Sequence, residues 1–384
     1  MESLITQHKT YVHHIALDPS GALLASCSSD KTVEVFHRRT IAGGGAMWEP
    51  GCAMHDHSGP VLRMAWCQHR EHGPLLATAG ADRWIYIYRI IVSSHEGRTL
   101  LHTVRWTPVR GYEKDVITDV AFVPPQQYHV LLLSTASLDG CVRLYEVHQP
   151  QQFPCVCRIS PEADAAAAEA AGDGGGGGGG GSGGGGAVVV VSLPTAAGAA
   201  PSSVGAASGH CEEAPASPST VAVPMLRSGG VTAIGWFPGA AERTMTLAVG
   251  TVSGRFFLYR YIKDSNTFMP IPVPHVEAGT LRCRAPVCNV SWAPSVGRRF
   301  QLLAICSRRE VFLLRLNCVS PSIDEDRSFE LFRAPVGAVS AAWSRSSTLL
   351  YLAADDRHTQ VVVLQMTNPL DHQSWQVVSR NARE

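Results

Sequence analysis

Three aspartates, Asp30, Asp82 and Asp139, stand in the same place relative to an apolar strand, each just past a run of the Leu-Leu-Ala-Ser type. A histidine lies upstream of the first two, His8 and His57, and a hydroxyl residue lies between, Ser26 and Thr78. Carboxylate, imidazole and hydroxyl are the parts of a nucleophilic or acid–base site. Their recurrence argues otherwise: a residue repeated in unit after unit performs a repeated structural task. Asp suits a tight turn because its carboxylate accepts from nearby backbone N–H groups. His57, Thr78, Asp82 and Tyr88 are expected to form one buried network. His8, Ser26, Asp30 and Phe36 form a weaker one, since Phe36 brings no hydrogen-bonding group.

The other reactive side chains do not assemble into a site. His13 and His14 are adjacent on a strand and so face opposite ways. His69 and His72 flank a loop, and no His pairs with a Glu at helical spacing as zinc hydrolases require. Cys155-x-Cys157 has no second pair near it, and the eleven cysteines lie mostly inside apolar strands, as small buried hydrophobes do in a reducing compartment. No Gly-x-Ser-x-Gly elbow occurs. The glycine tract from Gly174 to Gly186 has no Lys-Ser/Thr after it, so it is not a phosphate loop. The chain is expected to be no enzyme, with no cofactor and no metal.

The elements that carry these residues repeat. A small apolar residue is followed five positions later by a bulky one at Val12/Leu17, Val61/Trp66, Ile117/Phe122, Val231/Trp236, Val287/Trp292 and Ala338/Trp343. Each pair is followed by an apolar run, a polar turn and an alternating strand such as Thr32–Phe36 or Cys141–Tyr145. Asp139-Gly140 between such runs is a hairpin signal. A period near fifty residues with four short strands per unit predicts an all-β, six-bladed β-propeller. The weakest strands are the outermost: Leu101–Val104, Cys155–Ile159 and Trp375–Val378.

Between the third and fourth units the spacing doubles, because residues 161–225 are rich in Ala, Gly and Ser. They bury too little apolar surface to order themselves and are expected to be one long disordered loop, with Val188–Val191 at most a transient edge strand. The expected organisation is 1–160 for blades one to three, 161–225 for the insertion, and 226–384 for blades four to six of the same domain. No Lys or Arg lies between Arg158 and Arg227, while Glu162, Asp164, Glu169, Asp173, Glu212 and Glu213 do. The net charge is zero, so no nucleic-acid partner is expected. No signal peptide or long apolar run is seen, so a soluble intracellular protein with no membrane insertion is expected.

Three stretches carry a family resemblance. His8-Lys9, Val12-His-His-Ile15 and Ala25–Phe36 look like a first blade. Ile117–Phe122 with Ser137–Glu146 looks like a third, and Trp292–Arg298 with Leu303-Ala-Ile305 and no Asp-Gly turn looks like a fifth. Together they resemble the Sec-thirteen group of WD-repeat scaffold proteins, and within it the SEH (Sec-thirteen homologue) type. Departures are the missing closing Trp-Asp dipeptides, the insertion, and Ala338 where the group has Val.

The resemblance implies an open six-bladed ring completed in trans by a seventh blade from a helical scaffold nucleoporin of the Y-shaped outer ring of the nuclear pore. The function implied is that of a non-enzymatic scaffold subunit at the nuclear envelope, among other Y-complex subunits, supporting transport and pore assembly. Two alternatives stand beside it. One is a coat subunit of vesicle transport or of a lysosomal or vacuolar nutrient-signalling complex, on the cytoplasmic or vacuolar surface. The other is a propeller that reads a peptide or histone tail. Trp375–Val378 is expected to complete blade six, which leaves Leu4–Gln7 free for the added blade. Ile5, Tyr11, Val33, Val35, Leu352 and Val363 are then expected near the partner.

Overall fold

The computed structural model describes residues 5–41, 46–69, 73–95, 98–124, 131–147, 153–172, 229–238, 244–271, 273, 281–294, 300–317, 329–334, 336–354, 359–368 and 371–382. Each anchor pair opens an inner strand, and each unit makes one antiparallel sheet. Blade one is β1 (Val12–Leu17), β2 (Leu23–Ser28), β3 (Val33–Thr40) and β4 (Ala46–Met54). Blade two is β5 (Val61–His69), β6 (Gly73–Gly80), β7 (Trp84–His95) and β8 (Arg98–Arg110). Blade three is β9 (Ile117–Phe122), β10 (Leu131–Ser137), β11 (Val142–Val147) and β12 (Cys155–Ile159).

Blade four is β13 (Val231–Trp236), β14 (Thr244–Thr251), β15 (Arg255–Ile262) and β16 (Thr267–Ile271), with the short β17 (Leu281–Arg282) also paired to β15. Blade five is β18 (Val287–Trp292), β19 (Phe300–Ser307), β20 (Glu310–Asn317) and β21 (Phe329–Ala334). Blade six is β22 (Ala338–Trp343), β23 (Leu349–Ala354), β24 (Thr359–Met366) and β25 (Trp375–Ala382). The protein is a six-bladed β-propeller, and β25 completes the last blade.

The core lies between blades, not within them. A blade has two faces and both must be covered, so its second strand reads as a continuous apolar run. Leu23–Ser28 and Leu131–Ser137 are buried throughout. Val33, Val35 and Cys27 of blade one pack with Met64, Leu76 and Tyr88 of blade two. Ala304, Leu313 and Val311 of blade five pack with Leu350, Leu352 and Leu364 of blade six. Polar ties cross the seams as well. The Thr118 hydroxyl donates to the Val231 carbonyl (2.7 Å), and Ile234 N–H donates to the Asp119 carboxylate (2.9 Å).

The start of the insertion departs from expectation. Pro161–Gly172 is a helix, α1; residues 173–225 of the expected loop, Val188–Val191 included, lie outside the described residues. Its physical cause is local. Ser160 caps α1: its carbonyl accepts from Asp164 N–H (2.8 Å), and its own N–H donates to the Asp164 side chain (3.0 Å). Pro161 fills the first helical position, where a missing N–H costs nothing, and the following alanines have the best helix propensity. Among the described residues no helix is long and apolar enough to cross a membrane.

Candidate interaction edge

The inner strands pack in ring order, β1 on β5, β5 on β9, β9 on β13, β13 on β18 and β18 on β22. Among the described residues no comparable packing joins β22 back to β1. The bulky anchor of each inner strand shows what this means. Trp66, Trp292 and Trp343 each donate the indole N–H to a carbonyl of the preceding inner strand: Ala16 (3.0 Å), Gly235 (2.9 Å) and Ser291 (3.0 Å). Trp236 donates to the Ser134 hydroxyl of the preceding blade at 2.8 Å. The anchor therefore reaches backwards across a seam. In blade one the anchor is Leu17, with no N–H to donate and no preceding blade. It is 56 % exposed and Ile15 is 52 % exposed, against 9 % for Trp292.

Strand register tells which other residues share the Leu17 side of blade one. Leu17 pairs Leu24, which pairs Phe36, and Ile15 pairs Ser26, which pairs Glu34. The start of the described chain lies across the outer part of that face. Gln7 N–H donates to both oxygens of Glu34 (3.1 Å each), and the His8 ring is buried against Ser26 (2.8 Å) and Thr32 (2.9 Å). The segment expected to be free for an added blade is thus docked on blade one from Gln7 onward, and Leu4 lies outside the described residues. On blade six Tyr351 pairs Val363 on the side opposite Leu352, and Tyr351 and Val378 are exposed.

Three of the six residues expected at the edge lie elsewhere. Val33 and Val35 point into the seam between blades one and two, and Leu352 into the seam between blades five and six. Val363 is half-buried on the open side of blade six, and Ile5 and Tyr11 are exposed beside blade one. Alternation gave two candidate faces for each strand, and because both faces of a blade are apolar it could not choose between them. The stronger signal was the type of the anchor: five aromatics and one Leu.

The aspartates do structural work. The Asp82 carboxylate contacts His57 Nδ1 (2.9 Å) and accepts from Ser58 and Trp84 N–H, while His57 Nε2 meets the Thr78 hydroxyl at 2.8 Å. Tyr88 does not join this set. Its hydroxyl donates to Asp56 (2.9 Å), and Tyr86 packs edge-on against His57 instead. In blade one Thr32 supplies the hydroxyl that Phe36 lacks. Burial by itself would raise the Asp82 and Asp139 carboxyls. It is outweighed by His57 or Arg143 and by backbone N–H donors, so both are held below the usual range.

In blade three the sequence reading missed Glu113, which takes the histidine's place: it accepts from the Thr135 hydroxyl (2.5 Å) and the Tyr145 hydroxyl (2.8 Å). Its signal was position, one residue before Lys114, whose N–H donates to Asp139 as Ser58 N–H does to Asp82. Blade five substitutes Glu310, which accepts from Arg284 N–H (2.5 Å). Burial pushes the Cys27, Cys67 and Cys157 thiols up to about 12, so these are not nucleophiles. Among the described residues no three potential ligands stand close enough to hold a metal ion. What the geometry offers is an unpaired apolar blade face.

The comparisons agree with the architecture. Residues 2–37 and 99–146 match the family model described as "WD domain, G-beta repeat". The chain is 24 % identical over 372 residues to "Nucleoporin seh1" of Drosophila melanogaster, covering 93 % of this chain and 82 % of the relative. It is 34 % identical over 146 residues to "Nucleoporin SEH1" of Osmerus mordax and of Homo sapiens, an alignment spanning 38 % of this chain and 38 % of each relative.

Proposed function

We propose, for a chain that belongs to the Sec-thirteen/SEH type of WD-repeat nucleoporins, that it is a scaffold subunit of the nuclear pore whose open side is completed by a partner. The partner is a helical nucleoporin that lays strands against blade one and blade six as a seventh blade. The observation that supports this is the exposure of Leu17 and Ile15 on the one inner strand with no blade before it. An uncovered apolar sheet face recruits another chain, and strand addition supplies both main-chain hydrogen bonds and side-chain burial. The role needs no catalytic group, and the histidines and carboxylates of the repeat are occupied in holding turns.

The test is co-expression of the tagged chain with a candidate helical nucleoporin of the outer ring. Ile15→Glu and Leu17→Glu are expected to abolish capture while leaving the thermal melt of the free chain unchanged, because both side chains are already in water. Capture that survives both changes counts against the added blade. Proximity labelling that marks vesicle or vacuolar coat proteins and no pore proteins counts against the pore assignment.

A further inference from the structure

The chain has no net charge, and one end of blades one to three places Lys9, Lys31, Arg83 and Lys114 beside the carboxylates Asp30, Asp82, Asp115 and Asp139. In each blade the turn between the second and third strands lies at the same end as the segment that leads into the first strand. The two are tied: Lys9 N–H donates to Asp30 (2.8 Å), Ser58 N–H to Asp82 (2.9 Å) and Lys114 N–H to Asp139 (2.9 Å). These bonds, with those of His8, His57 and Arg143, occupy the three carboxylates. The cations beside them keep no partner of their own. Lys9, Lys31, Arg83 and Lys114 enter no ion pair among the described residues, and three of the four are exposed.

Two of these cations sit where a side chain is costly. The last residue of the turn is left-handed in four blades. In blades three and four it is Gly140 (φ 88°) and Gly254 (φ 82°), which carry no Cβ. In blades one and two it is Lys31 (φ 72°) and Arg83 (φ 64°). A long side chain held in that region is a local strain that points to a use. At the same end stand two tyrosines with their rings in water. Tyr11, whose carbonyl accepts from Ser29 of the blade-one turn, is 83 % exposed, and Tyr112, two residues before Lys114, is 65 % exposed.

We propose that this end of blades one to three binds single-stranded nucleic acid, with Lys9, Lys31, Arg83 and Lys114 on phosphates and Tyr11 and Tyr112 stacking bases. Unpaired cations alternating with exposed aromatic rings are the footprint of sequence-tolerant single-strand binding. An acidic peptide calls for the charges and gives the rings no task. Asp115, half-buried next to Lys114, and Asp164 of α1, which starts beside the Asp139 turn, are carboxylates that pair with no cation among the described residues, and both oppose the attraction on the blade-three side.

The experiment uses the full chain and a fluorescein-labelled oligouridylate of about 20 nucleotides, longer than one binding site, followed by anisotropy over a salt series. Binding is expected to weaken steeply with salt. The variant Lys9→Gln, Lys31→Asn, Arg83→Asn, Lys114→Gln is expected to flatten the slope of log K against log salt by about 2 to 3, at roughly 0.7 per phosphate contact. Asn is used at the two left-handed positions because it tolerates them. Tyr11→Ser with Tyr112→Ser is expected to weaken binding at least about tenfold with the salt slope unchanged. Arg345→Gln, in the exposed turn at the opposite end, is expected to change nothing.

All the substituted side chains are exposed except that of Arg83, which is half-buried, and a thermal melt verifies folding. No binding at low salt overturns the proposal, as does binding indifferent to the four cations or to the two tyrosines. Tighter binding of poly-glutamate or of phosphatidylserine vesicles than of the oligonucleotide overturns it as well. None of these changes touches Ile15 or Leu17, so failure here leaves the seventh-blade reading standing.

Discussion

The indole N–H of Trp66 donates to the backbone carbonyl of Ala16 across 3.0 Å, and this bond is one of those that join blade two to the first strand of blade one. Ala16 faces blade two, and its neighbours Ile15 and Leu17 face away. Consecutive residues of one strand thus serve a closed seam and an open one.

The two sides differ in their energetics. Trp292→Phe removes the indole N–H and leaves the half-buried Gly235 carbonyl without that donor. A loss of about 1–3 kcal/mol is expected in urea unfolding. Leu17→Ser is expected to change stability by no more than about 0.5 kcal/mol, as for a surface position. A loss at Leu17 as large as that at Trp292 would mean that blade six covers it and the ring is shut.

Stability should also fall in mild acid because of His14. Its Nδ1 accepts from Met64 N–H at 3.3 Å, which only the neutral ring can do. Burial, followed by the nearby Arg63 charge, pushes its pKa down to about 4. Lowered below the ordinary 6.5, it binds fewer protons folded than unfolded between those values. Its contribution is therefore full above about pH 6.5 and lost as the pH falls to about 4. Unfolding followed over that window is expected to show a decline of about 2 kcal/mol, which His14→Asn flattens. An unchanged profile in the variant would assign the decline to other groups.

The repeat was legible because one constraint is imposed six times. A small residue, a bulky one five later and an apolar run mark every inner seam, and the strands lie where those residues put them. Facing at the rim was not legible. Val33, Glu34, Val35, Phe36 and His37 are all buried, so the alternation that assigns a face is gone. Glu113 was missed because the expected partner was a histidine, whereas the position needs only an acceptor for Thr135 and Tyr145. The helix α1 was missed because composition pointed to disorder, while the capping residues Ser160 and Asp164 were local enough to override it.

Acid should act on the turn aspartates in the same sense, at lower pH. Asp82 and Asp139 are held below the usual carboxylate range, so they stabilise the fold above about pH 4 and lose that effect as the pH drops through their lowered values. His57→Ala removes the partner of both Asp82 and the fully buried Thr78 hydroxyl. A cost of about 2 kcal/mol is expected at neutral pH, with a smaller difference from the parent below pH 3. A constant difference across the acid range would show that Asp82 draws its depression from the backbone donors alone.

The insertion divides into two parts with different expected effects. The Glu162 side chain of α1 accepts from the hydroxyls of Thr251 (2.8 Å) and Ser253 and pairs with Arg255 at 3.4 Å, all in blade four. Because α1 follows β12 of blade three, Glu162 fastens the seam between the two blades from outside. Deletion of 173–225 leaves that contact in place, and its effect on the melting temperature is expected to be small, since lengthening or shortening a loop changes closure entropy slowly. Deletion of 161–225 removes it, and Glu162→Ala is expected to reproduce most of the loss, about 1–2 kcal/mol or a few degrees in Tm. Equal melting temperatures for the two deletions would show that α1 contributes nothing to the seam and that its contacts with blade four are incidental.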